Sequence, residues 1–317
     1  MILITGGMGF IGLSTAEALV SQGESVLLGR HRASRLPAFL APHYQSAVFD
    51  APLELGDMAS VQQLFQAHEI HAVVHLAFSA WGVSTAQQWQ ETMQGLLHLL
   101  EAARQHGVKR IVFASSVDVY SEAPQGPFRE EDPLYPATKS AIGAYKQSGE
   151  ILGRFYTAGT PVEFVAVRIG VVYGPLYHSL KNLPGQMAHA IRAKARQWRP
   201  QETELTPSRS RIANDFVYVK DCARGLAGIA TAPCLNYPVY NLGGGQAVTD
   251  VMLAGVARDL GLDVDPEWMA ALADGPEAAN ERYMRLDRIA TDIGYRPRFD
   301  IKQGLEDYLA WLDHEPE

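Results

Sequence analysis

The chain has 317 residues, of which 47% are hydrophobic and 20% charged, and its formal net charge is −8 at pH 7. This composition is typical of a globular protein with a sizeable core, and the acidic balance argues against nucleic acid or an anionic membrane as a partner. The two cysteines, Cys222 and Cys234, match no metal-ligand spacing and suit a reducing compartment. Since no apolar run reaches membrane-spanning length and a first strand at Ile2 leaves no room for a signal peptide, we expect a cytoplasmic protein without a metal site.

The first twelve residues, MILITGGMGFIG, combine a buried strand, a glycine-rich turn and the start of a helix. Residues 2–4 are apolar without polar alternation, as in a parallel strand buried on both faces. Gly6 permits a tight turn, Gly9 lets the backbone approach a pyrophosphate, and Gly12 lets the helix lie close to the sheet. Free N–H groups at the helix start would hold the phosphates. The turn therefore predicts a dinucleotide site lined by Gly6, Gly9, Phe10, Ile11 and Gly12.

Beyond this unit, short apolar runs alternate with helical patterns along the chain. Strands are predicted at 26–28, 72–77, 111–114, 164–167 and 239–240, and helices at 61–67, 85–106 and 137–156. Such alternation predicts an α/β fold with a Rossmann-type, doubly wound parallel sheet covered on both faces. The alternation breaks after Tyr173. We therefore expect a dinucleotide-binding domain at 1–174, rejoined by about 214–243, and a smaller mixed C-terminal substrate lobe at 175–213 and 244–317.

The end of the second strand bears on the choice of cofactor. An enzyme selective for NAD usually has a carboxylate here for the ribose 2′-hydroxyl, whereas an arginine accommodates a 2′-phosphate. Gly29 stands at the place of that acid, and Arg30 and Arg32 follow it. This pattern favours NADP over NAD. The alternative is that the two arginines are solvent-exposed loop residues without a role in binding.

A serine, a tyrosine and a lysine suggest acid–base chemistry beside the cofactor. Ser116 ends a predicted strand, and Tyr135-Pro-Ala-Thr-Lys139 lies downstream. A tyrosine and a lysine four apart share one helix face, so both could reach a point beside a nicotinamide ring. The lysine ammonium and a cationic nicotinamide would lower the tyrosine pKa from its ordinary value near 10, and Ser116 would orient the substrate oxygen. A chance surface pair is the alternative, which the upstream nucleotide turn disfavours.

The chain resembles extended short-chain dehydrogenases/reductases of the NAD-dependent epimerase/dehydratase type over nearly its whole length. The motifs that carry the resemblance are TGGMGFIG at 5–12, HLA at 75–77, SSVDVY at 115–120, YPATK at 135–139, RIGVVYGP at 168–175, NDFVYVKD at 214–221, YNLGGG at 240–245 and LDRIATDIGYRP at 286–297. The resemblance implies Ser116, Tyr135 and Lys139 as the catalytic set. The further cofactor contacts that it implies are Glu54, Leu55, Leu76, Ala77, Tyr135, Lys139 and Val171, with Asp57 competing for the adenine contact.

Departures from the family pattern narrow the reaction. Dehydratases of the family carry an Asp-Glu pair after the catalytic hydroxyl residue, whereas this chain has Val117 and Asp118, so dehydration is not expected. Epimerases usually have an arginine before the Asp-Phe of the RDFV-like motif, and Asn214 lacks its bidentate charged fork. Asn182-Leu183, however, resembles the epimerase motif that contacts a nucleotide-linked sugar.

Three functions stay open at this point. The first is a net dehydrogenase or reductase acting on a small, sugar-like hydroxyl or carbonyl substrate. The second is a nucleotide-sugar epimerase with tightly held cofactor, and the third is a non-catalytic dinucleotide-binding sensor. The substrate contacts that we expect are Trp81, Ser116, Asn182 and Asn214, although loop packing explains Trp81 equally well.

The predicted helices at 85–106 and 137–156 carry apolar residues over wide arcs. Family members commonly pair these helices about a two-fold axis. We therefore expect a homodimer, and the residues that suggest it include Leu96, Leu97, Leu100, Ile151, Leu152 and Phe155.

Overall fold

The computed structural model describes residues 1–31, 36–78, 84–123, 126–135, 140–195, 197–201, 213–274 and 281–314, with the backbone alone for 271–274. The strands are Ile2–Thr5 (β1), Val26–Arg30 (β2), Val48–Pro52 (β3), Ala72–His75 (β4), Arg110–Ser116 (β5), Glu163–Ile169 (β6), Val171–Tyr173 (β7), Phe216–Tyr218 (β8) and Val239–Leu242 (β9). The helices are Phe10–Ser21 (α1), Met58–Ala67 (α2), Thr85–Gln105 (α3), Ala141–Thr157 (α4), Leu183–Arg192 (α5), Val219–Thr231 (α6), Asp250–Asp259 (α7), Pro266–Asp274 (α8), Asp287–Ile293 (α9) and Ile301–His314 (α10).

Among the described residues, seven strands form one parallel sheet in the order β3-β2-β1-β4-β5-β6-β9. The direction of winding reverses between β1 and β4, which pair with Thr5 opposite His75. In open parallel sheets, ligands bind beyond the carboxyl ends of the strands at such a reversal. The sheet confirms the predicted Rossmann-type architecture and places the nucleotide turn at this reversal.

Both faces of the sheet are apolar because side chains alternate along each strand and helices cover both sides. Ile4 on β1 belongs to one buried cluster, with Leu13 of α1 and Leu226 of α6. Leu3, its neighbour on β1, belongs to the opposite cluster, with Leu99 of α3. Two buried faces explain why these strands read as unbroken apolar runs in the sequence.

A separate core lies in the C-terminal half of the chain. The short parallel pair β7–β8 packs with α5, α7 and α10. The largest contributors to this core include Tyr173, Trp198, Tyr218, Leu305 and Tyr308. These residues lie on both sides of position 174, and the predicted division into domains stays a prediction.

Several predicted elements have different bounds in the structure. The strand expected at 72–77 ends at His75, and the helix expected from 137 begins at Ala141. The strands β3, β7 and β8 were absent from the sequence prediction. β3 contains Asp50 and Pro52 within a half-buried edge strand, and β7 and β8 are three residues long, so none reads as an apolar run of ordinary length.

A buried ion pair joins α4 to the sheet. The Arg168 guanidinium on β6 donates to both carboxylate oxygens of Glu150 on α4, at 3.0 and 2.8 Å, and both side chains are nearly inaccessible. Arg168 also donates to the Tyr120 hydroxyl at 2.7 Å, and that hydroxyl donates to Asn241 of β9 at 2.9 Å. Burial alone would lower the pKa of Arg168, but the hydrogen bonds and charge of Glu150 raise it, so the guanidinium stays protonated. The network therefore connects α4, β6 and β9.

Replacing one member of this buried pair should strongly destabilise the fold. We expect Arg168→Met to lower the free energy of unfolding by about 3–5 kcal/mol, because it leaves the Glu150 carboxylate buried without its cation. Chemical denaturation followed by circular dichroism measures the change. Arg199→Met is the matched control, since Arg199 and Glu267 pair at 3.4 Å on the surface and such pairs contribute about 0–1 kcal/mol. Equal losses of stability in Arg168→Met and Arg199→Met would contradict a special role of the buried pair.

Candidate active site

The glycine-rich turn after β1 contains an internal hydrogen bond and packs against the residues that follow β4. The Gly9 N–H donates to the Gly6 carbonyl at 3.0 Å, and Gly6 has a φ of +67°. A Cβ added at Gly6 would lie 2.9 Å from the Ala77 nitrogen, and one at Gly12 would lie 2.8 Å from the Gly7 Cα. Side chains at these two positions would therefore push the turn away from β4 or from α1.

The helix that follows the turn is open at its N-terminus. Gly9 is the N-cap of α1, and within the described residues no side chain caps it and no acidic residue lies in its first turn. The first N–H groups of a helix have no partner within it, so those of Phe10, Ile11 and Gly12 are available to an outside acceptor. Such an open end favours a phosphate group. The predicted pyrophosphate contacts fit this geometry, and their role stays a prediction.

The residues after β4 are held against this turn. Leu76 donates its N–H to the Thr5 carbonyl at 3.1 Å, and the Ala77 N–H approaches the Thr5 hydroxyl at 3.4 Å. That hydroxyl is hydrogen-bonded to Nδ1 of His75 at 2.7 Å. Burial, aided by the nearby Lys146 ammonium, lowers the pKa of His75 to about 3, so the imidazole stays neutral. Leu76 and Ala77 thus border the crevice where the sequence predicted cofactor contacts.

At the end of β2, the predicted cofactor-selecting arginine has a partner within the chain. Arg30 Nε donates to Asp50 of β3 at 2.7 Å, and the Tyr44 hydroxyl donates to the other carboxylate oxygen at 2.7 Å. The hydrogen bond from Tyr44, with the charge of Arg30, holds the pKa of Asp50 below its ordinary value. A Cβ at Gly29 would lie 2.7 Å from Leu53 Cδ2, so a side chain in the place of the usual acid would displace this methyl group. Arg32 lies outside the described residues.

The expected adenine contacts lie just before α2. Asp57 caps this helix, since its Oδ1 accepts from the Ala59 N–H at 3.0 Å. The Glu54 carboxylate lies 2.9 Å from Nδ1 of the exposed His31. Asp57 is therefore occupied as a helix cap, while Glu54 and Leu55 stay predicted contacts.

Ser116 lies at the carboxyl end of β5, where the sequence predicted a catalytic hydroxyl. Its Oγ accepts from the Asp118 N–H at 3.1 Å and caps a short 3₁₀ turn at Val117–Tyr120. The Asp118 carboxylate in turn accepts from the Ser140 hydroxyl at 2.8 Å. These bonds fix the Ser116 hydroxyl close to the start of α4, and its contact with substrate stays a prediction.

The helix that was expected to begin at 137 starts later in the chain than Tyr135 and Lys139. The helix begins only at Ala141, because the Ser140 hydroxyl accepts from the Gly143 N–H at 3.1 Å and caps it there. Tyr135 precedes the helix with 42% of its surface exposed, and Lys139 lies outside the described residues. Both residues thus precede α4 in the sequence, and their catalytic role stays an untested prediction.

A different lysine lies at the carboxyl ends of the central strands. The Lys146 ammonium, on α4, lies 5.2 Å from the ring centroid of Phe113 and 5.3 Å from that of Phe78. Burial lowers its pKa to about 8. Sequence reasoning missed this residue, although its spacing of four from Glu150 places both on the helix face that packs against β5.

Two asparagines of the predicted substrate site are held within the fold. Asn182 caps α5, where its Oδ1 accepts from the Gly185 N–H and its Nδ2 donates to the Val172 carbonyl, each at 2.9 Å. Its surface is only 2% exposed. The backbone of Asn214 pairs with Val248 through two hydrogen bonds, at 3.0 and 2.9 Å. Asn182 thus has a structural role in the described residues, and the substrate role of both asparagines stays a prediction.

Of the remaining predicted contacts, Val171 is among the described residues. Val171 opens β7, and its N–H donates to the Asp215 carbonyl at 2.8 Å, whereas Trp81 lies outside the described residues. Sequence reasoning missed Tyr177, whose ring lies 5.2 Å from that of Phe10 between centroids. The segment after β7 therefore contacts the first residue of α1, beside the nucleotide turn.

Neither a metal centre nor a membrane span is found in the part of the chain that the structure describes. No group of three or more His, Cys, Asp or Glu side chains there could hold a metal ion. None of the described helices combines the length and the apolar character needed to cross a bilayer.

Comparison with known proteins gives a consistent result. Residues 2–243 match the model of the NAD dependent epimerase/dehydratase family. A dTDP-4-dehydro-6-deoxy-D-allose reductase from Streptomyces sp is 30% identical, over 98% of this chain and 95% of that protein. A UDP-glucuronate 4-epimerase from Thermodesulfobacterium geofontis (strain OPF15) is 29% identical, again over 98% and 95%. The crystal structure of a Thermotoga maritima UDP-glucose 4-epimerase with UDP-glucose has the same fold, with a TM-score of 0.80, 21% identity, and coverage of 100% of this chain and 99% of that one.

The glycine turn can be tested without a substrate. Gly6→Ala should lower the free energy of unfolding and weaken NADP binding at least about tenfold, because it combines a left-handed φ with a collision at Ala77. Isothermal titration with NADP and urea unfolding give the two quantities. Gly23→Ala is the matched control, since Gly23 has a φ of +86° but no atom within 4 Å of an added Cβ. Unchanged NADP affinity in Gly6→Ala would contradict the placement of the phosphates.

Proposed function

We propose that this chain catalyses a net hydride transfer to or from a small, sugar-like hydroxyl or carbonyl compound that carries no nucleotide. The premise is that the chain belongs to the NAD dependent epimerase/dehydratase family. It is an enzyme of the nicotinamide-dependent kind found in that family. When bound, the nicotinamide accepts or delivers the hydride. The chain's own residues would bind the pyrophosphate at the start of α1 and orient the substrate oxygen at Ser116.

The proposal that the substrate carries no nucleotide rests on the hydrogen bonds of Asn182. Its amide is buried, and both of its ends are hydrogen-bonded within the chain, so it is poorly placed to grip a sugar diphosphate. Asn214, at the other expected position, is neutral and lacks the charged fork that suits a phosphate. A substrate without a diphosphate needs neither contact. The 30% identical relative that is named a reductase supports a net redox reaction.

Nucleotide-sugar epimerisation is the second candidate. It is supported by the relatives that are named UDP-glucuronate 4-epimerase and UDP-glucose 4-epimerase. An epimerase oxidises and re-reduces one substrate, so its cofactor shows no net change, whereas a reductase or dehydrogenase consumes free cofactor in proportion to product.

A single set of assays separates the candidates. The protein is incubated with NADP or NAD, in each oxidation state, and with aldoses, sugar acids, UDP-glucose, UDP-glucuronate or dTDP-glucose. A stoichiometric change in the reduced-nicotinamide band with a free sugar or sugar acid would support the proposal. Interconversion of UDP-sugars on chromatography without such a change would establish the epimerase instead. Nucleotide binding with neither reaction would favour the sensor.

The cofactor preference that we propose is for NADP. The preference is supported by Arg30 at the end of β2, where the sequence predicts a contact with a 2′-phosphate, and Arg30 pairs with Asp50. We expect NADP to bind more tightly than NAD, Arg30→Ala to erase the preference, and Asp50→Asn to increase it by about tenfold or more, because the guanidinium loses its internal partner. Titration of each variant with both nucleotides checks this.

Arg104→Ala is the control for the cofactor experiment, since Arg104 pairs with Glu101 on the outer part of α3. It should leave both affinities unchanged. Tighter binding of NAD than of NADP by the wild type would contradict the preference.

The assembly that we propose is a homodimer formed through α3 and α4. Three large apolar side chains on these helices are exposed: Leu97 to 39%, Ile151 to 71% and Phe155 to 80%. Exposed apolar side chains on two adjacent helices suit an isologous four-helix contact with a second copy.

The dimer can be tested by charge. Phe155→Glu should give a monomer in light scattering at micromolar concentration, because a two-fold contact would bury the new carboxylate twice. Met252→Glu is the control, since Met252 is also exposed, to 47%, but lies on α7. A monomeric wild type would contradict the proposal.

The cytoplasmic location stays a prediction. Cys222 is buried, Cys234 is exposed, and both are free thiols. Free thiols are typical of proteins in a reducing compartment.

A further inference from the structure

Residues 281–285, the bridging segment, run alongside the loop that follows Ser116. The Phe128 N–H donates to the Tyr283 carbonyl at 2.7 Å, and the Arg285 N–H donates to the Phe128 carbonyl at 2.8 Å. These two hydrogen bonds form a short parallel bridge between parts of the chain that are far apart in sequence. The bridging segment is therefore held against this loop.

Arg282 of the bridging segment extends toward the Ser116 end of the loop. One terminal guanidinium nitrogen donates to the Ala123 carbonyl at 3.1 Å, and the other donates to the Ser121 carbonyl at 3.4 Å. Ser121 ends the 3₁₀ turn that Ser116 caps, and a rise of about 2 Å per residue puts the two serines roughly 10 Å apart. An arginine side chain and a hexose-sized substrate together bridge such a distance.

The guanidinium of Arg282 has no counter-ion in the part of the chain that the structure describes. Its polar and ring contacts there are the two carbonyls and the ring of Phe128, whose centroid lies 5.2 Å from the guanidinium carbon. The side chain is half-buried, and burial lowers the pKa of the guanidinium below its ordinary value, which the charge of Glu122 only partly offsets. A guanidinium has five N–H donors, of which the carbonyls use two, so three can bind an outside acceptor.

The neighbouring arginine differs in this respect. Arg285, three residues further along the bridging segment, pairs with Asp287 through two hydrogen bonds of 3.0 Å, which raise its pKa. Arg282 has only neutral acceptors. An amide side chain would satisfy two carbonyls without the cost of desolvating a cation, so these bonds do not explain a charged residue at this position. An anionic ligand does, because it supplies the missing counter-ion.

We infer that Arg282 anchors an anionic group of the substrate, so that the compound bound at Ser116 is a sugar acid or a sugar phosphate. The inference rests on the function proposed above, and it names the class of that substrate. The guanidinium fork matches a carboxylate or a phosphate with two parallel hydrogen bonds. Hydride transfer would then occur at the end of the sugar that lies at Ser116, away from the anionic group.

The first test measures binding to the full-length protein by isothermal titration, with and without NADP. Glucose, galactose and mannose are each compared with the corresponding uronate and 6-phosphate. At least one uronate or phosphate should bind about 10–100-fold more tightly than its neutral aldose, and Arg282→Met should remove this difference, because charge-assisted hydrogen bonds are lost. Preference for the uronate identifies a sugar acid, and preference for the phosphate identifies a sugar phosphate.

Arg285→Met is the matched control, since Arg285 lies on the same segment and pairs with the exposed Asp287. It should leave every affinity unchanged. Arg282→Lys keeps the charge and should retain only part of the uronate binding, because a lysine lacks the planar fork. Wild-type protein that binds the anions no better than the neutral aldoses, or an equal loss in Arg282→Met and Arg285→Met, would overturn the inference. The proposed function fails separately, when no compound in the assays above changes the reduced-nicotinamide band.

The second test uses the wild-type protein, so it does not depend on the folding of a variant. Phenylglyoxal attacks the neutral form of a guanidine, and peptide mass spectrometry gives the rate of reaction at each arginine. Arg282 should react faster than Arg285, because burial lowers the pKa of the first and Asp287 raises the pKa of the second. The preferred uronate or phosphate should protect Arg282 and leave Arg285 reactive. Absence of protection at Arg282 by every anionic compound would overturn the inference.

Discussion

The buried pair of Glu150 and Arg168 is the contact on which the geometry of the site depends. A carboxylate and a guanidinium removed from water stabilise a fold only when their geometry is good and their other hydrogen-bonding groups are satisfied. Here the pair is bidentate, and Tyr120 and Ser115 complete it. The bonds of Glu150 fix α4 against β5 and β6, and Lys146 lies one turn before Glu150 on the same helix. The position of the crevice lysine thus depends on an ion pair buried within the fold.

The crevice combines two electrostatic features that suit one ligand. The uncapped start of α1 presents N–H groups and a positive dipole end, which favour phosphates. On its other side, Lys146 lies over the rings of Phe113 and Phe78, and desolvation lowers its pKa to about 8. The neutral His75 between them adds no charge. A helix start that favours phosphate, with an ammonium nearby, fits the nicotinamide-dependent chemistry of the family.

Polar residues that look free in the sequence are largely engaged by the fold. Arg30 is bound by Asp50, Asn182 by the α5 cap, and Asp57 by the α2 cap. Each engagement has a consequence for binding. Under the proposed preference for NADP, a 2′-phosphate would compete with Asp50 for Arg30, and both ends of the Asn182 amide are already hydrogen-bonded within the chain. Local capping and pairing thus limit which ligands the common sheet can accept.

The sequence by itself determined the sheet and the nucleotide turn, because both depend on local features. Glycine at positions 6 and 12 is dictated by backbone geometry, and unbroken apolar runs are dictated by burial on two faces. Ser116 could be placed for the same reason, since it directly follows a buried strand. The helix face of Tyr135 and Lys139 could not, because the Ser140 cap decides where α4 begins. Only the tertiary structure singled out Lys146, since its contacts with Phe113 and Phe78 and its lowered pKa arise from rings distant in the chain.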